Sequence, residues 1–154
     1  MINSWIFYPI FAIVMILGAL LLIPKNLYKK FFLYGLMFGG IGDSIIASLY
    51  TIFDFIKYKE MGPFNIMNIF SLWTPITWAF AYMIFFYFLP VRKAFLVPYV
   101  LIFSLLNYSV GLVMQNFGLF EYIGIYKYFA PLTFLIWYSV SALVYLRNEH
   151  RTNV

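Results

Sequence analysis

The sequence predicts an all-α fold: a polytopic membrane protein, one bundle of five transmembrane helices, with the N-terminus outside and the C-terminus inside. Three observations carry this reading. Of 154 residues, 65% are hydrophobic and 10% charged, a balance far from that of soluble domains. The apolar residues fall into five runs close to the length a hydrocarbon core demands, roughly 20 residues. The basic residues gather at alternate connections between those runs, the bias that sets orientation in a bilayer.

The first run covers residues 5–23 and contains no charge. The start, Met1-Ile2-Asn3-Ser4, has no Lys or Arg, and no small-x-small cleavage site precedes Pro24, so a permanent helix is expected rather than a signal peptide. It offers little beyond Gly18 and Ala19 for close packing, and a place at the periphery of the bundle is expected. A connection with Lys25, Lys29 and Lys30 leads into the second run, residues 31–53, with Asp43 near its middle.

Residues 54–73 form the longest polar-bearing segment, with Asp54, Lys57, Lys59 and Glu60, then the turn signal Gly62-Pro63. The apolar spacing of 64–73 predicts a short helix along the membrane interface. The third run, residues 74–89, has Pro75 in its first turn and stops at Pro90. Arg92 and Lys93 anchor a tight connection to the fourth run, 95–114, which tolerates Pro98 near its start. A loop at 115–128 holds Glu121 and Lys127, and the fifth run, 129–146, leads to a polar tail.

Five crossings place Lys25, Lys29, Lys30, Arg92, Lys93, Arg147 and Arg151 on one side, seven basic residues against Lys57, Lys59 and Lys127 on the other. The seven belong inside. The net charge of +5 is thereby assigned to membrane topology, and no nucleic-acid partner is expected; the lipid bilayer is the expected surroundings.

The composition also excludes chemistry. There is no cysteine, and the single histidine, His150, lies in the tail, so thiolate chemistry, Cys-ligated zinc, iron–sulfur clusters and a bis-histidine haem are ruled out. No cofactor or metal is expected. The aromatic share of 24% fits a flat apolar ligand packed among rings, but the AT-rich codons of a low-GC genome, together with interfacial aromatic belts, account for it with fewer assumptions.

Asp43 is the residue to explain. An ionised Asp near the bilayer centre costs at least about 2.5 to 3.5 kcal/mol on insertion scales. Either it is protonated and hydrogen-bonded, or it faces a hydrated cavity, or it binds a cation. Helical spacing puts Gly40, Asp43, Ser44, Ala47, Ser48 and Thr51 on one face. Gly35-x-x-x-Gly39 and Gly40-x-x-x-Ser44-x-x-x-Ser48 repeat the small-x-x-x-small pattern of membrane helix contacts. Helix packing through Gly35, Gly39, Gly40 and Ser48 is expected, within the chain, against a partner membrane protein or in a homo-oligomer.

The fourth run presents Ser104, Asn107, Tyr108, Gly111 and Gln115 on one face, and Asn107 is the first candidate neighbour of Asp43. With Thr77 from the third run, the expected site for an ion or polar ligand is Asp43, Ser44, Asn107, Ser104, Tyr108 and Thr77. Trp78, Tyr82 and Trp137 are the alternative, a site for an apolar ligand such as a lipid or quinone. Catalysis is not expected, because the spans hold neither a His nor a second carboxylate to work with Asp43, and Asp43 and Ser44 point apart on a helix. Asp54, Glu60 and Glu121 share the predicted outer side, where loop carboxylates are ordinarily solvated. Three functions stay open: handling or sensing a proton, small cation or small polar solute; an accessory subunit of a membrane complex; and a receptor for an apolar ligand.

Ile23-Pro24-Lys25-Asn26, Phe88-Leu89-Pro90-Val91-Arg92 and Gly118-Leu119-Phe120-Glu121-Tyr122-Ile123 resemble an uncharacterised family of small five-helix membrane proteins of spore-forming Firmicutes, over most of the chain. The family is Trp-rich where this chain has Tyr126-Lys127-Tyr128-Phe129. The resemblance implies five spans, multi-pass insertion in a bacterial cytoplasmic membrane, and no assigned activity.

Overall fold

A computed structural model describes the backbone of residues 4–152 and the side chains of residues 4–149. Met1, Ile2 and Asn3 and the side chains of His150 and Arg151 lie outside the described residues. The chain is mostly helical, 77%. Among the described residues, four helical stretches are long and apolar enough to cross a membrane: Ser4–Leu22, Lys25–Ile52, Lys93–Asn116 and Tyr126–Glu149.

The first, α1 (Phe7–Leu22), follows a 3-10 turn at Ser4–Ile6. Pro24 stops it, since proline removes a backbone donor and clashes with the preceding turn. The second, α2 (Lys25–Ile52), is continuous but not uniform: a 3-10 turn at Lys25–Leu27, α-helix at Tyr28–Gly35, π-helix at Leu36–Gly42, and α-helix again at Asp43–Ile52. The widened π turns coincide with Gly39, Gly40 and Gly42. Helix α3 (Trp73–Tyr87) has 15 residues, about 22 Å at 1.5 Å per residue, shorter than the others. Helices α4 (Lys93–Asn116) and α5 (Tyr126–Thr152) carry Pro98 and Pro131 near their starts.

The short helix is the most buried. Tyr82, Met83, Phe85 and Phe86 are at most 2% exposed, because α1 and α2 both pack along α3 while Tyr99 of α4 donates its hydroxyl to the Phe85 carbonyl at 2.8 Å. Tyr82 stacks on Tyr138 of α5 with ring centroids 4.7 Å apart. Helix α1 meets this core by one face, packed along α3. Its Tyr8, Ala12 and Ala19 are buried, at i, i+4 and i+11 on one face, while Val14, Leu17 and Leu21 remain exposed on the other.

The glycines of α2 serve packing inside the chain. A Cβ on Gly35 would collide with the Ala79 carbonyl oxygen, and one on Gly39 with the Trp78 carbonyl, so these two positions let α2 lie directly on the backbone of α3. At Gly42 a Cβ would sit 2.6 Å from the Trp137 ring of α5. Gly40 is buried facing Ala79 and Pro75 of α3 at ordinary contact distance, and with Ser44 and Ser48 it borders an open, almost wholly apolar groove between the outer faces of α2 and α3.

The two polar loops meet. Strand β1 (Ile56–Tyr58) pairs antiparallel with β4 (Phe120–Tyr122), Ile56 opposite Tyr122 and Tyr58 opposite Phe120. Gly118 (φ 70°) and Gly124 (φ 57°) bracket β4 in the left-handed region that glycine enters freely. The interfacial helix expected at 64–73 is replaced by a hairpin of β2 (Asn65–Ile66) and β3 (Phe70–Ser71). Met67 and Asn68 turn it with positive φ, and the Asn68 amide donates to the Asn65 side chain at 2.7 Å. This local Asn–Asn turn competes successfully with the helical spacing of the apolar residues. At the opposite end of the bundle, Lys30 of α2 and Glu149 of α5 form an ion pair at 2.5 Å.

Candidate functional site

Asp43 opens the last α-helical part of α2, and it lines an internal cavity of about 70 Å³ between the helices and the β1–β4 sheet. A space of that size holds a few water molecules or one small solute. Helices α1 to α5 all contribute to it, through Tyr8, Asp43, Thr77, Asn107 and Phe134 among others. The sheet closes it with Ile56, Tyr58, Phe120 and Tyr122.

Asp43 itself is half-buried, but its Oδ2 is fully shielded and has no hydrogen-bond partner. Two further buried oxygens on the cavity wall, Thr74 Oγ1 and Tyr122 Oη, are likewise unpaired. Gly111 of α4 makes room for the Tyr122 hydroxyl, which any side chain at 111 would strike. Buried polar groups ordinarily find partners, and leaving one unmade costs about 1 to 3 kcal/mol. Three unpaired oxygens on one small cavity therefore describe a site with unused hydrogen-bonding capacity.

Asn107 reaches the same cavity as Asp43, yet its Nδ2 donates to Tyr138 at 3.2 Å. Thr77 also lines the cavity while its hydroxyl donates to the Trp73 carbonyl at 2.7 Å. The other expected members fall elsewhere. Ser104 bonds back to Val100 at 2.7 Å and does not line the cavity. Tyr108 is directed to the Lys127 carbonyl at 3.3 Å. Ser44 bonds back to Gly40 and Ser48 to Ser44, each at 2.7 Å, on the outer groove. Hydroxyls one turn from a free carbonyl satisfy themselves within their own helix, which is why shared polarity along a face did not translate into a shared site.

The aromatic alternative also divides. Trp78 lines the cavity, Tyr82 is stacked against Tyr138 in the core, and the Trp137 ring lies against Gly42 and Phe38. The Asp43 cavity therefore takes in Trp78 but neither Tyr82 nor Trp137.

Sequence reasoning missed the tyrosines. Tyr8, Tyr50, Tyr58, Tyr122 and Tyr126 all line the cavity. Burial pushes the Tyr58 phenol well above its ordinary range, and the nearby Asp43 carboxylate pushes in the same direction; burial does the same to Tyr122. Both stay neutral hydroxyls at physiological pH, able to donate as well as accept. The findable signal was the strand-like alternation Ile56-Lys57-Tyr58 and Phe120-Glu121-Tyr122, each with its charged member between two apolar ones.

The loop carboxylates are separate from this cavity. Glu121 is paired with Lys59 at 2.5 Å, on side chains 44% and 43% exposed, and among the described residues no group of His, Asp and Glu is placed to hold a metal ion. Comparison with protein-family models, with curated proteins and with solved structures finds no match to the chain.

Proposed function

We propose that the chain is a five-crossing membrane protein, N-terminus out and C-terminus in, that binds a small cation or small polar solute at Asp43 and hands it across or senses it. The observation that carries the reading is the Asp43 carboxylate: one oxygen shielded and unpaired, on a small cavity that Thr74, Thr77 and Asn107 also line. An intramembrane acid without a protein partner is the usual mark of a proton, ion or solute site.

Five crossings are supported by the ends at which elements meet. The loops before α3 and after α4 pair as β1 and β4, so α3 and α4 together make one excursion away from that end and back. The tail of α5 meets the start of α2 through Lys30 and Glu149. Packed along α1 and α2, a helix of 15 residues crosses with its ends drawn in, the bilayer thinning or side chains snorkelling to match. The basic side of the charge bias then faces the cytoplasm. A bacterial cytoplasmic membrane and kinship with the small five-helix family of spore formers belong to the same proposal.

The test is flux into proteoliposomes holding the purified chain, with protons, alkali cations and small amines as solutes. Asp43→Asn keeps size and hydrogen bonding but removes ionisation; flux or binding present in the native chain and lost in this variant is the expected result. Native flux left intact by the substitution would end the proposal.

A second reading has one observation behind it. The open groove of Gly40, Ser44 and Ser48 between α2 and α3 has the small-residue surface on which a second membrane helix packs closely. An accessory subunit would use it, and co-purification of a partner after gentle solubilisation, lost on Ser44→Leu, is its test.

A further inference from the structure

The cavity at Asp43 has a composition that narrows its ligand. Of its 19 lining residues, nine are aromatic, about twice the 24% of the whole chain, so a genome-wide codon bias does not account for the concentration. They arrive from every part of the fold: Tyr8 from α1, Tyr50 from α2, Tyr58 and Tyr122 from the sheet, Trp78 from α3 and Tyr126 from α5. Among the described residues, the lining holds one carboxylate and no Lys, Arg or His.

The rings are held by one another rather than left free to collapse into the cavity. Tyr50 meets Tyr126 edge-on at 5.2 Å between centroids, Tyr58 meets Phe120 at 5.1 Å, and Phe120 meets Tyr122 at 4.7 Å. Edge-to-face contacts of this kind fix ring orientation. Tyr8 is further pinned by its hydroxyl, 2.6 Å from the Leu119 carbonyl and 2.9 Å from that of Lys59.

We infer that this cavity recognises a small organic ammonium ion, with the Asp43 carboxylate as counter-ion and the surrounding tyrosine and tryptophan rings in place of its hydration shell. The inference rests on the proposed function above and names the class of solute. A carboxylate alone does not choose between an ammonium ion and an alkali ion. The walls do: a bare alkali ion needs oxygens on most sides, and here most of the wall is ring and aliphatic carbon. Weakly hydrated alkylammonium ions are the cations that aromatic cages bind.

The test uses the full-length chain in detergent, titrated calorimetrically with tetramethylammonium, potassium and tert-butanol, the last being an uncharged molecule of nearly the shape of tetramethylammonium. Tetramethylammonium is expected to bind more tightly than either of the others. Asp43→Asn should abolish that binding, and Tyr58→Leu should weaken it about threefold to thirtyfold, the range of a cation–π contact. Tyr58→Phe should restore most of what Tyr58→Leu loses, because the ring survives, and a native-like melting temperature of Tyr58→Leu excludes misfolding as the cause of its loss. Equal binding of tert-butanol would overturn the inference. Binding of potassium through Asp43 with tetramethylammonium excluded would also overturn it while leaving the cation site itself standing. Absence of binding by any cation would remove both.

Discussion

The carbonyl oxygen of Leu119 accepts the Tyr8 hydroxyl at 2.6 Å and the Lys59 amide at 2.8 Å. One atom thus joins the first helix to both polar loops, and Tyr8 becomes the strut that holds the β1–β4 sheet over the cavity. A tyrosine near the start of the chain looks, in sequence, like an interfacial anchor. In the fold it is 3% exposed, and its partners lie 51 and 111 residues away.

Tyr8→Phe should therefore loosen the sheet without emptying the core. The Leu119 carbonyl keeps its backbone donor, so the loss is that of one buried hydrogen bond, about 1 kcal/mol. The lower melting temperature should be accompanied by faster amide exchange at Lys59, bonded to Leu119 at the Tyr8 end of the sheet, and at Ile123, bonded to Phe55 at its other end. Unchanged exchange at those two amides would show that Tyr8 does not support the sheet.

The helix contact at Gly39 gives a sharper contrast. Gly39→Ala drives a methyl group into the Trp78 carbonyl, and overpacking of this sort costs about 1 to 3 kcal/mol. Gly40→Ala meets the flexible end of Leu36 at 3.0 Å, with Ala79 at 3.6 Å and the Pro75 carbonyl oxygen at 3.7 Å in ordinary contact. It should be neutral or slightly stabilising, since alanine is the better helix residue. Thermal melts of the two variants in one detergent decide the matter, and similar losses would place the contact on the wrong face.

Much of the architecture was legible in the residues. Asp43 and Asn107 were expected as neighbours and do line one cavity, because both sit near mid-helix on polar faces of runs that had to pack together. The assignment of Ser44 and Ser48 to the Asp43 site failed because the polar face of α2 is wide enough to be split between two surroundings. Asp43, Ala47 and Tyr50, at i, i+4 and i+7, line the cavity, while Gly40, Ser44 and Ser48, at i, i+4 and i+8, line the outer groove. The sheet was illegible because each strand has three residues and pairs across 60 or more positions of intervening chain. Composition has nothing to say about such a contact.

The absence of cysteine from the sequence makes topology simple to measure. Lys57→Cys and Arg92→Cys each place a single thiol at an exposed position, at opposite ends of α3. A membrane-impermeant maleimide applied to intact cells should label residue 57 at once and residue 92 only after permeabilisation. Labelling of both from outside would mean that α3 does not cross.

The ion pair of Lys59 with Glu121 sets a pH dependence at the sheet. The Lys59 ammonium, by hydrogen bond and by charge, holds the Glu121 carboxyl below its ordinary value of 4.5. Its contribution is present in full above that value and is lost as the pH falls through the lowered one. Both side chains are well exposed, so the effect is small and screened by salt. Glu121→Gln should leave the melting temperature at neutral pH nearly unchanged while removing the acid-side slope; an equal slope in the variant would assign it to another carboxylate.

The Asp43 carboxylate is proposed to meet a solute in the cavity, and infrared difference spectroscopy of the membrane-reconstituted chain reads that carboxylate directly as solute is washed on and off. A reversible change in the carboxyl stretching bands is expected on adding a small cation such as tetramethylammonium, and it should be absent in Asp43→Asn. A difference spectrum with no carboxyl change, or the same carboxyl bands in the native chain and in Asp43→Asn, would contradict a solute site at Asp43.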